Sequence, residues 1–151
     1  MKLEQAIKSS KFKNEVHKAA LNILYSAWWL KTLMSQELKP FGLTHEQYNV
    51  LRILKGKYPE QMCVKDIASR MIEKSSNVPR IIDRLESKKW ALRTTSQEDK
   101  RETLITLTQL GIDVLAQSTQ RVDAIFSNNI DLKEENAAVL NNLLEELREK
   151  E

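Results

Sequence analysis

The side chains best placed to do chemistry lie between Ser75 and Arg101. Ser75, Ser76 and Asn77 offer hydroxyl and amide groups, and Arg80, Arg84 and Lys88 follow at helical spacing. Lys100 and Arg101 then stand at the tip of a charged turn, QEDKR. These residue types recognise polyanions rather than break bonds. A guanidinium can fork onto guanine, an asparagine can pair with adenine, and serines can hold phosphates. Asp99 precedes Arg101 by two residues and can pair with it to hold the turn. Alternatively Arg101 is free to enter a minor groove, whose negative potential attracts arginine. On the helix alone, the same charges fit the solvated face of an ordinary helix equally well.

The elements that must position these groups are legible from periodicity. The spacing predicts a helix over 75–88 with Val78, Ile81, Ile82 and Leu85 inward. Ser75 or Ser76 is its natural N-cap, and Pro79 is tolerated only in the first turn, where its missing N–H is an unbonded donor anyway. A short helix with Ile67, Ala68 and Met71 inward precedes it, separated by a break at Glu73–Ser75. Helix, short break, helix is the geometry that presents a second helix to the major groove. Alternating runs Trp90–Ser96 and Glu102–Leu107 predict two strands around a wing at 97–101. A two-stranded ribbon is marginal alone and must pack on neighbouring helices.

On the N-terminal side, a helix from about 11 to 39 carries Phe12, Val16, Ala19, Ile23, Ala27, Leu30 and Met34 at helical spacing, stopped by Pro40-Phe41-Gly42. Thr44 and Gln47 form a capping box opening a helix with Tyr48, Leu51 and Leu54 inward, and Met62-Cys63-Val64 reads as one short strand. On the C-terminal side, Thr108 caps a long helix, and Asp131-Leu132-Lys133-Glu134 has a second capping-box pattern opening a helix with Ala137, Leu140, Leu143, Leu144 and Leu147 as its stripe. The terminal stripes exceed what one small core needs, so the first and last helices are expected to intertwine with a second copy. The expected fold is mainly α with a small β-wing: a winged helix-turn-helix at 44–107 flanked by dimerisation helices at about 11–39 and 108–150, in one domain covering 1–151.

Composition sets outer bounds. The 151 residues hold three Gly and three Pro, favouring helix, and a formal charge of +3 too small to identify a nucleic-acid binder. Its distribution is more telling, with a basic excess from Lys74 to Arg101 and an acidic tail after Asp131. Cys63 is the only cysteine and reads as a small buried residue, so no disulfide framework exists. The N-terminus lacks a signal-peptide core, and the apolar patch around SAWWL is too short to span a bilayer. The expectation is a soluble cytoplasmic protein with no membrane association. There is no Gly-rich phosphate loop, no metal-ligand cluster and no Ser/His/Asp set at plausible spacing, so neither catalysis nor a cofactor is expected.

Asp99-Lys100-Arg101, Leu107-Thr108 and Gly111 resemble the Asp-x-Arg…Leu-Thr-x-x-Gly signature of MarR-type regulators (multiple antibiotic resistance regulator). Leu43-Thr44…Gln47…Val50-Leu51 and Val78…Arg80…Asp83-Arg84-Leu85-Glu86 resemble the same family, which covers nearly the whole chain in order. The resemblance implies a homodimeric winged helix-turn-helix, usually a repressor that small, often aromatic, ligands release from a pseudo-palindromic operator in double-stranded DNA. It implies that Ser75, Ser76, Asn77 and Arg80, with Arg84 and Lys88 on the same helix, meet the major groove, and that Lys100 and Arg101 stand on a wing stabilised by Asp99. It places an effector between the dimerisation helices and the winged core, where the candidates are His17, Tyr25, Trp28, Trp29, Phe41 and Tyr48. Adjacent Trp28 and Trp29 point about 100° apart on a helix, so only one serves a given face. Two departures stand out. Lys89 occupies the place where the family usually has Gly, so the helix is expected to end differently at a cost of about 1 kcal/mol. Pro79 replaces a commonly hydroxylic residue. The rival reading is a winged-helix module for protein assembly without specific DNA binding.

Overall fold

A computed structural model describes residues 1–150. In chain order it contains α1 (Leu3–Ala6), α2 (Glu15–Leu38), a 3-10 turn (Lys39–Phe41), α3 (His45–Lys57), β1 (Met62–Cys63), α4 (Val64–Arg70), α5 (Val78–Ser87), β2 (Ala91–Thr95), β3 (Thr103–Leu107), α6 (Gln109–Asn129) and α7 (Glu134–Glu146). The three strands form one antiparallel sheet in the order β1-β3-β2, with Met62 opposite Ile105, Ala91 opposite Leu107 and Thr95 opposite Thr103. The mainly helical fold with a small wing is the architecture expected from the sequence.

One core holds α3, α4, α5 and the sheet together. Val50, Leu51, Leu54, Ile67, Ile82, Leu85 and Ile105 are among its most enclosed members, and Leu115 and Val122 bring α6 against it. The α3 capping box forms as read. Thr44 Oγ1 accepts from the Gln47 N–H, while Gln47 Oε1 accepts from the Thr44 N–H, each at 3.2 Å.

The structure corrects several boundaries. α2 begins at Glu15 rather than near Lys11, because Asn14 Oδ1 accepts the His17 N–H at 2.8 Å and caps it there. Phe12 therefore lies outside the helix, edge-on to the His17 ring and beneath the Lys18 ammonium. Before it, α1 is an additional turn held by the Glu4–Lys18 ion pair at 2.6 Å; that contact lowers the Glu4 pKa and raises that of Lys18. Of the α2 stripe, Ile23, Leu30 and Met34 are half-buried, whereas Val16, Ala19 and Ala27 are exposed. The Asp131 capping box does not form: α7 starts after Lys133 with no side-chain cap. Cys63 is half-buried rather than buried, and its Sγ accepts the Asp66 N–H at 3.4 Å, capping α4. No helix is long and apolar enough to cross a membrane among the described residues.

Candidate nucleic-acid interface

α5 starts at Val78, later than expected. Neither Ser75 nor Ser76 caps it; Asn77 does, its Oδ1 accepting the Arg80 N–H at 3.3 Å, with Pro79 in the first turn. This changes the chemistry available. Bidentate pairing with adenine needs both the amide oxygen and nitrogen, and in Asn77 the oxygen is taken by the cap. Ser75 is exposed on the loop before the helix. Ser76 is half-buried, its Oγ shielded and without a hydrogen-bond partner among the described residues. Ser75, Ser76, Arg80 and Arg84 line a groove of about 560 Å³ between the starts of α3 and α5.

Arg80 and Arg84 are one helical turn apart, exposed, and outside every ion pair among the described residues. Lys88 is placed elsewhere. Its Nζ donates to the Gly42 carbonyl and lies 4.7 Å from the Trp90 ring centroid, tying the end of α5 to the turn before α3. Arg93, on β2, was missed by the sequence reading. Its guanidinium bonds Asp83, approaches Glu86 at 3.5 Å and donates to the Pro79 carbonyl at 3.3 Å. It offsets the two carboxylates of α5 beside the arginines and pins the wing to the helix. Strand alternation held the clue, since Arg93 shares the helix-facing side of β2 with buried Ala91.

The wing turn is braced by its own polar groups. The Ser96 N–H donates to the Glu102 carbonyl at 2.9 Å, and Ser96 Oγ accepts from the Glu98 and Asp99 N–H groups at 3.3 Å. Asp99 Oδ1 accepts the backbone N–H of Arg101 at 2.9 Å. Asp99 thus holds the turn through the Arg101 main chain and leaves the guanidinium unpaired among the described residues. Lys100 beside it is exposed.

The exit from the wing is tied to the end of α5. Lys89 adopts φ +60, so the helix ends in the left-handed manner that glycine normally serves, contrary to the expectation of a different ending. The Lys89 N–H bonds the Glu86 carbonyl at 2.8 Å and the Trp90 N–H bonds the Leu85 carbonyl at 2.9 Å. Thr108 Oγ1 donates to the Lys89 carbonyl at 2.7 Å and accepts the Gly111 N–H at 3.0 Å. At Gly111 a Cβ would overlap the Trp90 carbonyl oxygen and stand 2.9 Å from its carbon. Backbone meets backbone there, so this position has no room for a side chain.

A second concavity, about 660 Å³, lies between α2, α3, the 71–73 segment and α6. Of the six residues expected around an effector, only Tyr48 lines it. The cavity begins at Ala27 on α2, more than two turns beyond His17, whose Nδ1 accepts the Lys13 N–H. Tyr25 and Trp28 pack on each other at 5.4 Å on another face of α2, with Trp29 also outside the cavity, and Phe41 packs against the core. His45, read from sequence only as part of a cap, lines the cavity, and its Nε2 lies 2.7 Å from the Lys31 carbonyl.

Comparison with known proteins places this geometry. The MarR family model matches residues 43–103, the winged core. The chain is 28% identical over 111 residues to the transcriptional regulator SarZ of Staphylococcus epidermidis, covering 74% of this chain and 71% of that protein. It is 40% identical over 75 residues to the helix-turn-helix transcriptional regulator YwoH of Bacillus subtilis, covering 50% of this chain and 53% of that protein. A MarR variant from E. coli, solved in complex with operator DNA, superposes with a TM-score of 0.78 at 25% identity, covering 91% of this chain and 99% of that one.

Proposed function

We propose that this chain, whose residues 43–103 match the MarR family model, is a winged-helix DNA-binding transcriptional regulator of that family, and that it acts in the cytoplasm as a homodimeric repressor released from its operator by a small apolar effector. Arg80 and Arg84 read the major groove, the exposed Ser75 holds a phosphate at its edge, and the Lys100–Arg101 wing tip reaches the adjacent minor groove. The observation that carries this reading is the braced wing beside the α5 face. Arg93 covers the helix carboxylates, while Arg80, Arg84 and Arg101 remain unpaired among the described residues.

Dimerisation is supported by the apolar side chains that α2 and α7 leave exposed, among them Leu24, Trp28, Leu140 and Leu143. Two copies would present their recognition helices about 34 Å apart, one DNA turn, on a pseudo-palindromic site. The cavity between α2, α3 and α6 is within the usual size for small-molecule sites, roughly 300–1,000 Å³, and takes the effector in this reading.

Selection of duplex from a random-sequence pool at low salt tests the proposal. Binding should fall steeply with salt, and Arg101→Ala should lower the salt slope by about one phosphate contact without changing thermal stability. Duplex binding that is undetectable at low salt would favour the protein-assembly module instead.

A further inference from the structure

Resting on the reading of α5 as the major-groove helix, we infer that Asn77 selects guanine there, acting through its amide nitrogen alone. An asparagine with both amide atoms free favours adenine, because it accepts from N6 while donating to N7. The start of α5 withdraws half of that pair. Asn77 Oδ1 accepts the Arg80 N–H at 3.3 Å, which fixes the amide oxygen toward the helix and turns the nitrogen away from it. The side chain is exposed, and Nδ2 donates to no atom among the described residues.

The main chain at this end adds nothing that a nucleic acid could use. The Val78 N–H donates to the Ser76 carbonyl and the Ile81 N–H to the Asn77 carbonyl, each at 3.1 Å. Pro79 has no N–H, and the Arg80 N–H is taken by the cap. The first turn of α5 therefore keeps no main-chain donor of the kind that helix N-termini lend to phosphates. Its outward polar group is the Asn77 amide nitrogen, in one row with Arg80 and Arg84 on the groove between the starts of α3 and α5.

That row offers donors only. Guanine presents two major-groove acceptors, O6 and N7, side by side, and the two hydrogens of Nδ2 suit them. Adenine offers N7 but sets its own N6 hydrogens against the amide, and cytosine presents a donor alone. Thymine supplies the single acceptor O4 and ranks between them.

The test is selection of bound duplex from a random-sequence pool by the full chain, sequenced for the wild type, Asn77→Ser and Asn77→Asp. Serine and aspartate both cap helices, so α5 should form in each variant, with helical circular dichroism unchanged. The wild type should hold guanine over adenine about fivefold at one position of the enriched site, the low end for a base-edge contact. Asn77→Ser, too short to reach the base, should lose that preference and leave the other positions as they were. Asn77→Asp, whose outward oxygen accepts, should exchange guanine for cytosine at the same position. Adenine at that position in the wild type, or a wild-type profile that Asn77→Ser leaves unchanged, would overturn the inference. Duplex enrichment would persist in either case, and the DNA-binding reading with it; a pool from which the wild type enriches nothing removes both.

Discussion

α5 and α7 share an amphipathic pattern, yet α5 is completed within the chain and α7 is not. α5 buries Val78, Ile82 and Leu85 to 2%, 0% and 0% exposure. α7 buries no residue and leaves Val139 and Leu143 more than half exposed, and Val16, Leu24 and Trp28 do the same on α2. The recognition half takes its shape from its own sequence, with α3, α4 and the sheet as its floor. The terminal half has apolar faces that gain from burial only when something else covers them.

Three substitutions and one control would break or sharpen that contrast. The largest effect is expected at Gly111, inside the self-contained half. Gly111→Ala drives a methyl into the Trp90 backbone and should destabilise the fold by about 3 kcal/mol in urea unfolding. Gly56→Ala is the control: nothing lies within 4 Å of its Cβ position, so helix propensity should raise stability by about 0.5–1 kcal/mol. Equal losses at both glycines would mean that the α6 junction yields. Next comes Leu143→Asp on α7. In the proposed dimer, a charge on each copy of this face should cost about 2 kcal/mol of association and leave a monomer in sedimentation at micromolar concentration. A dimer that persists, with duplex binding intact, would show that α7 is not the shared face. The smallest effect belongs to Lys89→Gly, which relieves a left-handed residue and should stabilise the chain by about 1 kcal/mol, read as a higher midpoint in the same urea series.

Much of the recognition half was legible because its signals are local. The Thr44–Gln47 box, the α5 stripe and the Thr108 cap each depend on residues three or four apart. The start of α5 was misplaced because Ser75, Ser76 and Asn77 are all good caps in isolation, and only the packing of Val78 selects among them. Lys88 was misread because its partners, Gly42 and Trp90, include a carbonyl 46 residues away. Arg93 and the Lys31–Glu73 ion pair escaped for the same reason. The aromatic residues of α2 and the cavity lie on different faces, since the helix turns Leu30, Lys31 and Met34 toward the cavity and leaves Trp28 outside.

The single hydroxyl of Thr108 joins the last turn of α5 to the first turn of α6, and Gly111 removes the side chain that would have padded that joint. With no side chain between them, the end of α5 and the start of α6 meet backbone to backbone. In the proposed dimer, a tilt imposed on α6 would be carried through this joint to the arginine-bearing face. Slack inserted at this elbow would uncouple the spacing of two such faces in the proposed dimer from whatever moves the shafts.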